Sequence, residues 1–216
     1  MGVYPPFLLE KIMSTPRFIA DTHMGHRNIW KFRPVFESTL HNDLYFQYVL
    51  AEICTKRDSM FFLGDILFDE KYLPFIKELP GTKILVLGNH CTEYISTKKL
   101  CDAFDEVHSM IRYKEFWLTH APIHPDELRE KKNIHGHVHT ESINDFNYLN
   151  VSVDSSFMNF LPKTLLEVRQ AFATVNTEQK IYAGVDNENA LNVIESNPIS
   201  KNAYYRSLAE SRKITV

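Results

Sequence analysis

Residues 60–90, MFFLGDILFDEKYLPFIKELPGTKILVLGNH, hold the alternation that decides the fold. Two short apolar runs, Met60–Leu63 and Lys83–Leu87, are each predicted to form a buried strand that ends in a glycine turn with polar side chains. Between them, Glu70–Leu79 is predicted to form a short helix that is broken around Pro74. Strands, helices and polar strand ends in this order indicate a layered α/β protein.

The rest of the chain extends this pattern on both sides. Further strands are predicted at Arg17–Ala20, Val107–Tyr113, Glu115–Thr119, Asn133–His135 and Tyr148–Val153, and further helices at His41–Lys56 and Leu165–Ala173. The strands on either side of Lys114 are close enough to form a hairpin. We therefore expect an α/β fold of four layers, an α/β/β/α sandwich in which two mixed sheets face each other and helices flank them.

Side chains that can bind metals follow the predicted strands in five clusters along the chain. The clusters are Asp21-x-His23, Gly64-Asp65, Gly88-Asn89-His90, His120 and Gly136-His137-x-His139. This mixed oxygen and nitrogen set suits manganese, iron, zinc or nickel without a thiolate. One carboxylate between two groups of histidines favours a two-metal site, which binds both ends of an in-line phosphoryl displacement.

Each cluster alone also has an ordinary structural interpretation. A carboxylate at Asp65 caps a following helix as readily as it binds a metal, and Gly88-Asn89 is a usual turn pair. Two histidines spaced as His137 and His139, with His120 ahead of them, favour the metal. The sequence predicts two divalent metal ions, with manganese favoured.

The ordered set of clusters resembles that of the calcineurin-like metallophosphoesterase superfamily, over residues 16 to about 170. The segments His26-x-Asn28 and His120–Pro125 look similar to small bacterial and phage-type members. The resemblance implies one metal on Asp21, His23, Asp65 and His139, and a second on Asp65, Asn89, His120 and His137, so that Asp65 bridges.

A hydroxide shared by the two metals is the nucleophile that this resemblance implies. It also implies that His90 is catalytic, either as general acid on the leaving oxygen or by stabilising phosphoryl charge. The sequence departs from the family at Cys91, where an acidic residue is usual. A thiol is a weak donor and a poor acceptor, so Cys91 is either inert or a redox group.

Four further residues are candidates for substrate binding. His26, Asn28 and Arg33 lie shortly after His23, and His124 lies shortly after His120. Arg33 is alternatively a solvated side chain, and His124 a structural loop residue. A formal net charge of −3 offers no extended basic track for long nucleic acid. We therefore expect a small phosphate-ester substrate, a phosphodiester of nucleotide size.

The same fold also permits other functions. A nuclease or a phosphomonoesterase requires the same metal ligands. A non-catalytic scaffold on this fold is the alternative from another class, and loss of ligands is its expected signature. The complete ligand set favours an enzyme.

The domain organisation and compartment follow from composition. We expect one metallophosphoesterase domain over residues 1–175, of which 1–15 is an N-terminal extension, and a docking tail at 176–216 that could join a homo-oligomer. The three cysteines, Cys54, Cys91 and Cys101, have no disulfide-scaffold spacing, which favours reduced thiols and a cytoplasmic location. The apolar runs are far shorter than the ~20 residues that span a bilayer, so no membrane partner is expected.

Overall fold

The protein is described by a computed structural model that covers residues 15–175. Its strands form two sheets, and the strand bounds are β1 Pro16–Ile19, β2 Ser59–Leu63, β3 Thr82–Val86, β4 Glu106–His108, β5 Ile111–Tyr113, β6 Phe116–Leu118, β7 Lys132–His135, β8 Tyr148–Asn150 and β9 Lys163–Thr164. The first sheet has the order β4-β3-β2-β1-β9, and the second has the order β5-β6-β7-β8. The prediction of an α/β fold with two sheets is confirmed.

Both sheets are mixed. β9 runs antiparallel to β1 and β5 runs antiparallel to β6, whereas the other neighbouring strands are parallel. Strands β1, β2 and β3 are apolar and mostly buried, as is typical of parallel strands that are covered on both faces.

The helices lie mainly between the strands of the first sheet. Their bounds are α1 Thr39–Ile53, α2 Leu73–Glu78, α3 Cys91–Tyr94, α4 Thr97–Ala103 and α5 Leu165–Val175. Helix α1 begins two residues before the predicted start, because the Ser38 side chain caps it by accepting a hydrogen bond from the His41 N–H. It ends at Ile53 instead of Lys56.

Two details of the predicted elements are wrong. Pro74 does not break a helix, because it lies in the first turn of α2, where a missing N–H is harmless; a separate 3₁₀ turn, Glu70–Tyr72, precedes it. The predicted strand Val107–Tyr113 is two strands in different sheets. Its first part, β4, pairs with β3, and its second part, β5, forms the hairpin with β6 around Lys114.

The core contains aromatic residues from both sheets. The rings of Phe18 and Phe61 stack with centroids 5.2 Å apart, and the ring of Tyr113 from the second sheet lies 4.6 Å from that of Phe61. The backbone joins the sheets at one end, where the Ala20 N–H donates to Val151 and the Val153 N–H donates to Ala20. This contact places the segment after β1 beside the segment after β8.

The predicted N-terminal extension, except Thr15, and the predicted tail 176–216 lie outside the described residues. The predicted homo-oligomer through that tail lies outside them as well. Across residues 15–175, every helix is too short or too polar to cross a bilayer.

Replacing Phe61 with alanine tests the aromatic core. Phe61 is 2% exposed and contacts rings from both sheets. Its loss should lower the free energy of unfolding by ~3–5 kcal/mol, because a cavity forms as apolar contact is lost. Urea unfolding followed by circular dichroism measures the change. Leu166→Ala is the matched control, since Leu166 is 58% exposed; equal losses in the two variants would contradict a core shared by the sheets.

Candidate metal centre

The predicted ligands all lie in the loops that follow β1, β2, β3, β6 and β7. The first two loops pair beyond their strands, because the Asp21 N–H donates to Gly64 and the His23 N–H donates to Asp65. The loop after β7 pairs with the one after β6, since the Gly136 N–H donates to His120. Backbone hydrogen bonds therefore hold these loops side by side before any side chain is considered.

The ligand residues have an unusual backbone conformation. Positive φ angles between 52° and 72° occur at Asp21, His23, Asp65, His137 and His139. Such angles are uncommon for residues with a Cβ and cluster at functional sites, where the surrounding structure holds them in place. Five of the seven predicted ligands thus have this strained conformation, which also occurs at five residues outside the ligand set within residues 15–175.

The glycines of the motifs make room for the ligands. A Cβ on Gly64, whose φ is +88°, would collide with the imidazole of His120, and a Cβ on Gly88 would collide with the carboxylate of Asp65. The G-D and G-N-H motifs therefore combine a ligand with the space that another ligand needs.

The first ligand group is Asp21, His23 and His139, whose ligand atoms all lie within 4.8 Å of one another. Oδ2 of Asp21 accepts hydrogen bonds from the His137 N–H and the Ser152 hydroxyl. Oδ1 of Asp21 and Nε2 of His23 are 3.7 Å apart, and both are buried without a hydrogen-bond partner among the described residues. Buried polar atoms without partners are costly, so this pair fits a cation between them.

The second ligand group is Asp65, Asn89, His120 and His137. Nε2 of His120 lies 2.9 Å from Oδ1 of Asn89 and 3.2 Å from Oδ2 of Asp65. Nδ1 of His137 lies 3.0 Å from the same Asn89 oxygen and 3.2 Å from His120 Nε2. Nδ1 of His120 donates to the Leu63 carbonyl, which leaves Nε2 as the ligand atom.

The two groups adjoin at Asp21. Asp21 lies close enough to His23 and His139 to share a metal with them. It also lies close enough to Asp65 and His120 to share a metal with those two. The N–H of His90 donates to Oδ1 of Asp65, and Oδ2 faces His120. The bridging role of Asp65 remains a prediction.

The electrostatics favour ionised carboxylates. Burial raises the pKa of Asp21, but the nearby imidazoles of His23, His120 and His139 outweigh it and hold that pKa below its usual value. Burial likewise raises the pKa of Asp65, and the contact with His120 outweighs it. Burial lowers the pKa of His23, which favours its neutral, metal-binding form.

Asp154 supports the first group and was not predicted from the sequence. Its Oδ2 lies 2.8 Å from Nδ1 of His139, which leaves Nε2 of that histidine for a metal. Burial lowers the pKa of His139, but the hydrogen bond that its Nδ1 donates to Asp154 outweighs it, so the pKa is raised and the imidazole is a stronger ligand. The available signal was its position after the predicted strand Tyr148–Val153, which is where the ligands also lie.

The prediction that Arg33 binds the substrate, or is a solvated side chain, is wrong. Arg33 is neither solvated nor available to a substrate, because it is 2% exposed and its donors are all used within the protein. The guanidinium contacts both oxygens of Asp154, the Asn42 side chain, and the carbonyls of Asp21 and Thr22. Arg33 therefore positions the ligand loops.

His90 lies at the edge of the second group and is partly exposed. Its Nδ1 donates to Oε2 of Glu93 at 2.9 Å, and its ring lies 5.4 Å from that of Phe68. Glu93 thus contacts His90 although the residue after His90 is not acidic. The Phe68 ring also stacks on that of His23, which links His90 to the first ligand group.

Cys91 is buried below the second group. Its sulfur accepts hydrogen bonds from the N–H groups of Gly88 and Asp65. Burial raises the pKa of the thiol to about 11, so it is protonated near neutrality. A buried thiol is unreactive, and these contacts favour the inert interpretation over a redox role.

The other substrate candidates are placed differently from one another. His26 packs against His23 and Phe68 and lines a cavity beside the first group. Asn28 is exposed at the start of the 3₁₀ turn Ile29–Lys31. His124 is exposed and caps another 3₁₀ turn, Pro125–Glu127, and no described contact joins it to the ligands. His124 matches the alternative of a structural loop residue.

The chain is similar to a phage protein and to a solved structure. No family model matches the chain. Gene 66 protein of Mycobacterium phage L5 is 25% identical over 166 residues, which span 61% of this chain and 80% of the phage protein. The crystal structure of a protein of unknown function from Aquifex aeolicus superposes with a TM-score of 0.57 and 27% identity, and covers 73% of this chain and 98% of that one. Neither name states an activity, but the second likeness supports the α/β fold.

Asp154→Asn tests the support of His139. Loss of the negative charge beside Nδ1 should weaken manganese binding about 10–100-fold, as is usual for groups that orient a ligand histidine. Isothermal titration calorimetry measures the affinity. His124→Ala is the control, because His124 is exposed and away from the ligands, and it should bind manganese like the unmodified protein. Unchanged affinity in Asp154→Asn would contradict the role of Asp154.

Proposed function

We propose that this protein is a dinuclear metal-dependent phosphoesterase of the calcineurin-like type. The observation that carries the proposal is the convergence of seven ligands from five strand ends into two adjoining groups. Buried atoms of Asp21 and His23 that have no hydrogen-bond partner within residues 15–175 support the presence of cations. A scaffold would not need a complete ligand set together with a histidine at its edge.

The finer fold belongs to the same proposal. A four-layer α/β/β/α sandwich is supported by the rings of Phe61 and Tyr113, which meet between the sheets. It is also supported by a helix on the other face of the first sheet, because Phe62, which points away from its neighbour Phe61, packs on Phe104 at the end of α4.

The seven ligand residues would hold two metal ions. Asp21, His23 and His139 would hold one ion, Asn89, His120 and His137 would hold the other, and Asp65 would serve both. Two divalent ions would supply Lewis-acid activation of water and of the phosphoryl oxygens. Manganese remains the favoured metal, because nitrogen and oxygen ligands without thiolate suit it.

His90 would deliver a proton to the leaving oxygen. The Glu93 carboxylate accepts the hydrogen bond from Nδ1 and orients the ring, so Nε2 is the nitrogen that remains for proton transfer. The Phe68 ring limits the motion of the imidazole on another side. A partly exposed position suits a group that exchanges protons with solvent after each turnover.

A small phosphodiester of nucleotide size remains the favoured substrate. The formal net charge of −3 offers no track for long nucleic acid, and a diester needs the protonated leaving group that His90 serves. A nuclease and a phosphomonoesterase are the competing outcomes. The predicted cytoplasmic location agrees with free thiols at Cys54, Cys91 and Cys101.

Hydrolysis of bis(4-nitrophenyl) phosphate and 4-nitrophenyl phosphate, with manganese, nickel or zinc added separately, tests the proposal. We expect metal-dependent turnover with a higher specificity constant for the diester. Asp65→Asn should abolish turnover and lower the metal content with the circular dichroism spectrum unchanged. A fully active Asp65→Asn variant with two metals per chain would contradict the bridging role of Asp65. A preference of the unmodified protein for the monoester above ~10-fold would favour the phosphomonoesterase.

His90→Gln tests proton transfer separately from metal binding. The variant should keep its metals, as elemental analysis would show, and lose ~10²–10⁴-fold in turnover. The loss should shrink for diesters with good leaving groups, because these need little protonation. An equal loss on good and poor leaving groups would instead assign His90 to stabilisation of phosphoryl charge.

A further inference from the structure

A cavity of about 410 Å³ opens beside the first ligand group. Its lining includes the ligands His23 and His139 and the buried pair Arg33 and Asp154. The other four lining residues, here called the outer end, are His26, Ile29, Phe32 and Thr140. Because ligand side chains form one wall, a phosphoester held at the metal centre would direct one of its substituents into this cavity. The volume is that of a pocket for a small organic group.

The outer end of the cavity combines two apolar side chains, Ile29 and Phe32, with two polar ones, His26 and Thr140, and the side chains of Phe32 and His26 are flat rings. Phe32 is 75% exposed, although single exposed phenylalanines of this kind usually need no explanation. Its position is informative because the ring stands at the mouth of a cavity beside the ligands. Ile29 is buried in the wall, and the His26 ring is held by edge contacts with His23 and Phe68.

The backbone under Phe32 is fixed. Its N–H donates to the Ile29 carbonyl, and the next residue is Arg33, whose side chain is anchored inside the protein. The Phe32 ring is therefore presented on a rigid base, which lowers the entropic cost of binding a second ring. The charged residues of the lining, Arg33 and Asp154, are buried and paired with each other, so neither offers a free charge to a ligand, which favours a neutral occupant.

We propose that this outer end, defined by His26, Ile29, Phe32 and Thr140, binds the base of a nucleotide ester, with Phe32 as the stacking residue. The proposal rests on the proposed function, because the metal centre must hold the phosphate. Stacking on an aromatic side chain accepts any base, since every base has a π face. The Thr140 hydroxyl and the His26 imidazole are the groups available to base heteroatoms.

The experiment compares the hydrolysis of three diesters in the presence of manganese. They are thymidine 5′-(4-nitrophenyl phosphate), methyl 4-nitrophenyl phosphate and cyclohexyl 4-nitrophenyl phosphate. The unmodified protein should have a higher specificity constant for the thymidine ester than for the other two. Phe32→Ala should lower the ratio of thymidine to methyl specificity constants about tenfold, mainly through KM, because stacking is lost. Phe32→Trp should restore the ratio, and Phe146→Ala, an exposed phenylalanine outside the cavity lining, should leave it unchanged.

An unchanged ratio in Phe32→Ala would overturn the proposal, and so would equal preference for the cyclohexyl and thymidine esters. Turnover of the methyl ester tests the phosphoesterase activity without the cavity, because its methyl group is too small to need the base site. A failed base site can therefore be distinguished from a failed phosphoesterase assignment. If no ester is hydrolysed, isothermal titration calorimetry in the presence of manganese measures the affinity for thymidine 5′-monophosphate and tests the base site separately. Binding that weakens in Phe32→Ala supports the base site, and binding that is absent or unaffected overturns it.

Discussion

The buried pair of Arg33 and Asp154 is the interaction on which the centre depends. One guanidinium contacts the loop after β1, helix α1 through Asn42, and the segment after β8 through Asp154. Burial raises the pKa of Asp154, but the charge of Arg33 outweighs it and holds that pKa well below its usual value. Removing one partner of a buried ion pair costs about 3–5 kcal/mol, because the other charge is left unpaired.

The guanidinium of Arg33 positions two members of the first ligand group, Asp21 and His139. A planar fork fixes the orientation of its acceptors, and here the acceptors include the carbonyl of Asp21 and the carboxylate that holds His139. The left-handed backbone of Asp21 and His139 is therefore held by bonds outside the ligand set. Such over-determination is what allows a strained conformation to persist.

Sequence patterns predicted the elements that follow from local physics. Apolar runs followed by polar side chains placed β1, β2 and β3 and the ligands behind them, because both features lie within a few residues. The two-residue strand β9 of the same sheet was not predicted. The boundary between β4 and β5 was missed, since one run of residues can enter two sheets without any change in composition. Whether a strand leaves a sheet is decided by distant neighbours.

The supporting residues were harder to predict than the ligands. Arg33 and Asp154 are 121 residues apart, so no spacing indicated that they pair. Glu93 was hidden for another reason, since a family pattern drew attention to the position directly after His90. A single turn of helix, however, places a residue three positions later within hydrogen-bonding distance.

The backbone contact at Ala20 has a consequence for the order of folding. Strands β1 to β4 are neighbours both along the chain and in the sheet, whereas the contact between Asp21 and Ser152 closes a loop of 131 residues. Closing a long loop costs entropy that nearby pairings avoid, so we expect strands β1 to β4 to assemble earlier. Asp21, Asp65 and Asn89 would then be in place before His137, His139 and Asp154 arrive. The ion-binding centre is completed last, and ions present during folding would act on the final step of assembly.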